Sequence, residues 1–153
     1  MIRFFCILTI LFSTRKSLQT DEIIKRINEI SNKSVELPMT RYDNSIVYIS
    51  EVEFGYTNEG YYCNYKIRVN KNQRSQLTQK IVNFKSIKNI SISKKITENS
   101  KVKLLQITFN RSIVTQTFNN KQNSVTTFAI PFLDSEEDYN TLVNSLKNLQ
   151  LKD

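Results

Sequence analysis

The chain has 153 residues, enough for one domain whose core buries roughly 70% of the surface exposed by the unfolded chain. Apolar residues make up 39% and charged residues 24%, so neither wholesale disorder nor a membrane bundle fits. The chain has no His, no Trp and only two Cys, which removes imidazole acid–base chemistry, His/Cys metal cages and a disulfide framework together. Twenty-two Lys and Arg against fourteen Asp and Glu give +8, a balance that suits an anionic partner, although abundant Asn, Lys and Ile beside a single Ala indicate AT-rich coding as one source of the lysines.

Met1, Ile2 and Arg3 precede an apolar run from Phe4 to Phe12, broken only by Thr9. This is the basic start and ~7–15-residue core of a secretory signal, and it is too short for a bilayer, which takes ~20 residues. Arg15, Lys16 and Ser17 stand where an export signal favours small residues before the cut. The expectation is a signal peptide over 1–18, an exported protein (periplasmic or extracellular) and one domain over 19–153, with a buried cytoplasmic strand or helix as the competing reading. Loss of Arg3, Arg15 and Lys16 would bring the charge from +8 to +5. Cys6 lies within the apolar run with no small-residue lipidation pattern before it, and Cys63 falls on an apolar strand face, where a thiol acts as a small hydrophobe.

Thr20 or Asp21 can cap a first helix carrying Ile23, Ile24, Ile27 and Ile30 at helical spacing, ended by 31–34 and blocked by Pro38. A loop at 57–60, with Gly60 free to take positive φ, sets a hairpin in which Tyr56 faces Tyr61, Phe54 Cys63, Val52 Tyr65, Ser50 Ile67 and Tyr48 Val69. On its other face Glu51 opposes Lys66 and Glu53 opposes Asn64. The polar segment 71–75 reads as a connection, Ile81–Phe84 as a short strand, and Phe84, Ile87 and Ile90, spaced by three, as a helical turn feeding another strand. A loop over 93–101 leads to strands at Val102–Phe109, Ile113–Phe118 and Val125–Phe132, with 119–123 as a looser loop. Asp134 or Ser135 caps a last helix with an acidic first turn and a stripe of Tyr139, Leu142, Val143, Leu146 and Leu149. The fold class is α+β: a helix, a curled antiparallel sheet of six or seven strands, and an amphipathic helix packed on it.

The start from Cys6 to Thr20, the Ile-rich first helix, the meander of short strands with Phe84, Ile87 and Ile90 midway, and the closing Ser135–Leu149 helix resemble small exported bacterial proteins of unknown function with a pleckstrin-homology-like barrel. The resemblance implies a barrel or sandwich closed by the last helix; it carries no catalytic signature.

Two sets of residues are candidates for binding. Between Lys66 and Lys103 eleven Lys and Arg stand against Glu98 alone, and Lys66, Lys71, Lys80, Lys85, Lys88, Lys94, Lys95 and Lys103 are candidate contacts for an anionic surface. Phe84 is the one aromatic in that stretch, so a stacking surface for nucleic acid is not indicated. Tyr48, Tyr56, Tyr61 and Tyr65 share the inward hairpin face and are candidates to line a pocket, or to reach the rim of the core. Glu51 and Glu53 share a strand face as a catalytic pair would, but each has a polar or basic cross-strand neighbour and no apolar bulk to raise a carboxyl pKa. No catalytic residue, metal ligand or cofactor site emerges. The reading is a non-enzymatic exported binding or structural module whose partner is an anionic envelope component or another protein; the alternative is a carrier holding a small apolar or lipid ligand within the curled sheet.

Overall fold

The computed structural model describes residues 19–70 and 73–153, so the signal-peptide expectation over 1–18 and Lys71 lie outside the described residues. Helix α1 occupies 19–32, with Thr20 and Asp21 inside it rather than capping it. Ile27 and Ile30 are buried on one side, with Ile23 and Ile24 packed against them. Among the described residues nine strands follow: β1 (Pro38–Thr40), β2 (Ile46–Thr57), β3 (Gly60–Val69), β4 (Gln73–Ile81), β5 (Ile87–Ile92), β6 (Val102–Phe109), β7 (Val114–Phe118), β8 (Lys121–Val125) and β9 (Thr127–Leu133). Helix α2 (Glu136–Lys152) closes the chain.

The strands form two antiparallel sheets, one ordered β1-β2-β3-β4-β7-β8 and the other β5-β6-β9. The architecture is therefore α+β as expected, but the single curled sheet of six or seven strands becomes two sheets of six and three, and among the described residues no closed barrel forms. The additional strand residues are polar. Gln73–Ile81 and Lys121–Val125 lack the apolar alternation that marks a strand, because much of β4 and nearly all of β8 faces water.

A common core lies between the sheets. Phe54, Phe84 and Phe128 form its aromatic centre, with ring centroids 5.8–6.4 Å apart, and Tyr61 stands 5.0 Å from Phe84. Leu142, Leu146 and Leu149 of α2 enter the same core with no exposure, while Tyr139 and Val143 flank them. Ser135 caps α2, its side chain accepting from the Asp138 N–H at 3.3 Å, and the acidic first turn suits the positive end of the helix dipole.

Turns in this chain rely on Asn. Four of the five non-Gly residues with positive φ among the described residues are Asn44, Asn70, Asn119 and Asn120, and the last two form the two-residue turn between the paired Phe118 and Lys121. Asn tolerates the left-handed region better than other side chains, so it serves turns that Gly often occupies. Gly60 is the position where Asn could not stand: its φ is +127°, and a Cβ there would lie 2.3 Å from the Ile81 carbonyl oxygen.

The β2–β3 pairing follows the expected register from Thr57 down to Glu51, then shifts by one at a bulge between Ile49 and Glu51. The extra residue, Ser50, reverses the alternation beyond it. Val47 and Ile49 become the buried residues, and Tyr48 pairs with Arg68 instead of Val69. A second bulge, between Ile87 and Asn89 in β5, replaces the helical turn expected from the spacing of three.

Candidate functional site

The four tyrosines expected to share a pocket are held by four different partners. The Tyr56 hydroxyl donates to Asp21 of α1 at 2.8 Å, and the Tyr61 hydroxyl to Asp153 at 2.9 Å. Tyr65 is buried, and its hydroxyl donates to the Ala129 carbonyl of β9. Tyr48 lies beneath the Arg68 guanidinium, 5.4 Å from the ring centroid. The expected common lining is thus corrected: the bulge turns Tyr48 to the opposite face, Tyr56 is exposed, and Tyr61 and Tyr65 tie elements together within the core. Burial raises the proton affinity of both buried phenols, and their hydrogen bonds to Asp153 and a carbonyl require the neutral form.

The basic residues do not converge. Lys66 and Lys80 lie on the six-stranded sheet, Lys85 in the β4–β5 connection, Lys88 on β5 of the other sheet, and Lys94 and Lys95 in the β5–β6 connection. Lys66 is already paired with Glu51 at 2.7 Å. Lys103 is buried, with its ammonium donating to the Thr97 and Glu98 carbonyls at 3.0 and 2.6 Å and forming an ion pair with Asp134 at 3.6 Å, so it fastens the 97–101 loop instead of meeting a surface. Cys63 is fully buried and its thiol is pushed up to about 12 by desolvation, which suits a packing role.

What the structure does assemble is the outer face of the six-stranded sheet. Strand registers place Glu53, Asn64, Thr78, Thr117 and Gln122 in one row across β2, β3, β4, β7 and β8. Gly55, Tyr62, Lys80, Thr115 and Ser124 form the row above it, and Glu51, Lys66 and Gln76 the row below. These side chains are hydroxyls, amides, the Glu51–Lys66 ion pair and the charges of Glu53 and Lys80. A groove of about 700 Å³ runs over the lower row between Glu36, Arg68, Arg74 and Asn119, and a second depression of about 500 Å³ adjoins it at Glu53 and Asn64. Gln76 lines both, and also a third of about 310 Å³ beside Thr117 and Asn120. Within the groove Arg68 is paired with Glu36 as Lys66 is with Glu51, so much of its positive charge is neutralised in place. Glu53 accepts from the Tyr62 hydroxyl at 3.2 Å and from the Asn64 amide at 3.4 Å, while Asn64 in turn accepts from Thr78 at 2.9 Å.

Among the described residues no three His, Cys, Asp or Glu side chains gather as a metal-binding group, and no helix is long and apolar enough to cross a membrane. No family model, curated protein or solved structure matches the chain. Pattern reading missed this face because a strand with polar residues on its outer side and Ser75 and Gln79 on its inner side shows no alternation at β4. The signal that could have found it is the hairpin register itself, which already placed Glu51, Glu53, Asn64 and Lys66 on a wet face.

Proposed function

We propose that this protein is an exported, non-enzymatic binding module and that its contact surface is the outer face of the six-stranded sheet. The observation that carries the reading is the continuity of three depressions through Gln76 on a face built from registered rows of hydroxyl, amide and charged side chains. A row fixed by backbone hydrogen bonds presents its side chains with little ordering cost, which favours binding of an extended partner. The aromatic filling between the sheets supports surface binding over carriage of an apolar ligand inside. The dispersal of Lys80, Lys85, Lys88, Lys94 and Lys95 over two sheets and two connections supports a contact that is not chiefly electrostatic. Export is carried by the apolar Phe4–Phe12 run after Arg3.

The test is co-sedimentation of the protein with the envelope fraction of its source cells. Wild type and Lys147→Trp, a change on the exposed side of α2, are expected to be retained equally, and Gln76→Trp to lose about tenfold in affinity, equivalent to ~1.4 kcal/mol. Trp is well accepted on an exposed strand, so thermal melting of Gln76→Trp should match wild type. Failure of wild type to be retained, or equal retention of Gln76→Trp, would overturn the reading.

A further inference from the structure

We propose that the ligand of this face is a neutral, hydroxyl-rich glycan chain that lies across Tyr62; the inference rests on the outer sheet face being the contact surface. Tyr62 stands directly opposite Gly55, and a Cβ on Gly55 would lie 2.4 Å from the Tyr62 Cζ and hydroxyl oxygen. The phenol end of the ring therefore lies along the sheet over the bare glycine backbone instead of projecting from it. The residue is half-buried, and its ring forms an aromatic platform over Gly55 beside the neighbouring rows. A pyranose is amphipathic, with axial C–H groups on its faces and hydroxyls around its rim, and it matches a flat ring bordered by amides and carboxylates.

The border is present on both sides of the ring. Glu53, Asn64 and Thr78 are joined to one another and to the Tyr62 hydroxyl, which fixes their rotamers. A carboxylate has about four lone-pair sites and an amide two N–H donors. Glu53 and Asn64 therefore keep acceptors and a donor for vicinal hydroxyls after their mutual bonds are counted. On the other side Val82, 71% exposed, and Ile113 line a small depression with Tyr62, Lys80 and Thr115, giving apolar contact for the next sugar and hydroxyl contacts beyond it. Two flanking depressions with a platform between them suit a chain better than a single sugar.

Charge argues for a neutral ligand. Glu51–Lys66 and Glu36–Arg68 are closed ion pairs on this face, and beside Tyr62 the Glu53 carboxylate is offset by Lys80 on the neighbouring strand, while Arg74 lies farther along the groove. A polyanion would have to displace those pairs and approach Glu53. Exposed ion pairs are screened by salt, whereas stacking and hydroxyl hydrogen bonds are nearly indifferent to it.

The test uses the same envelope fraction in three forms: untreated, digested with a broad protease, and oxidised with periodate, which cleaves vicinal diols. Wild-type retention should survive the protease and about 0.5 M salt, at which the Debye length is well below its physiological ~8 Å, and be lost after periodate. Tyr62→Ala should lose about tenfold in affinity while Tyr62→Phe, which keeps the ring, stays within about threefold of wild type. Should Tyr62→Ala fail to fold, Asn64→Leu removes the hydroxyl contacts without touching the ring and should lose a similar factor. Retention that periodate spares, retention abolished by the protease or by salt, or wild-type retention by folded Tyr62→Ala or Asn64→Leu would each overturn the glycan assignment while leaving a Gln76-dependent surface standing. Absence of wild-type retention on untreated material would overturn both readings.

Discussion

Cys63 illustrates how a residue's surroundings decide its chemistry. The thiol sits at 0% exposure opposite Phe54, and desolvation carries its pKa from 9.0 to about 12. The unfolded chain therefore loses this proton at lower pH than the folded chain does. Between about pH 9 and 12 the folded state binds more protons, so stability is complete below 9 and falls as pH rises through that window, by at most ~1.4 kcal/mol per pH unit for one group. Tyr61 and Tyr65 act in the same direction from about pH 10, their ordinary value, upward. Urea midpoints measured from pH 7 to 11 should fall steeply for wild type and less steeply for Cys63→Ala, whatever the offset at neutral pH. Parallel slopes would show that the thiol is not buried as described. The burial of Cys63 was legible from its place in the hairpin, since Phe54, Val52 and Tyr65 share its face. The partners of the tyrosine hydroxyls were not, because Asp153 and Ala129 are distant in sequence and come near only through packing of the second sheet and α2.

At the scale of elements, two features decide which side chains face where. Both bulges leave the same mark in the sequence, apolar residues spaced by three within a strand: Ile49 to Val52, and Ile87 to Ile90. That spacing is shared with a helix, and in β5 it reads as a helical turn; only the long alternating stretches on either side distinguish a bulge. The second feature is the treatment of open strand edges by amide side chains. Asn28 of α1 both accepts from the Phe54 N–H at 2.8 Å and donates to its carbonyl at 2.7 Å, covering the part of β2 that β1 does not pair. Gln79, buried on the inner face of β4, accepts from the Ala129 N–H at 2.9 Å, and Tyr65 donates to the Ala129 carbonyl. One residue on the free edge of β9 thus has both backbone groups satisfied by the opposing sheet, and the polar residue on an inner face that obscured β4 in the sequence is what joins the sheets. Gln79→Leu, close to the original in volume, leaves that N–H buried and unpaired and should cost about 1–3 kcal/mol in chemical denaturation. Unchanged stability would mean that the two sheets are not joined at Ala129.

For the whole molecule, the division of labour between the faces of the large sheet is the central claim. The inner face packs on the three-stranded sheet and α2 around Phe54, Phe84 and Phe128, leaving the outer face as the proposed contact surface. Fold class, both helices and the β2–β3 hairpin could be read from apolar periodicity because each buries one side. The division into two sheets could not, since it depends on β4 pairing with β7 across an intervening stretch that contains β5 and β6. The positive charge that dominates the composition is spread over separate surfaces or used internally, as at Lys103. Hydroxyl-radical footprinting of the free and envelope-bound protein tests the claim most directly, because tyrosines are readily oxidised and this chain carries them on several surfaces. The account predicts that binding protects Tyr62 strongly while Tyr42, 61% exposed in the turn between β1 and β2, is oxidised at an unchanged rate. Protection of Tyr42 with Tyr62 unaffected would contradict it.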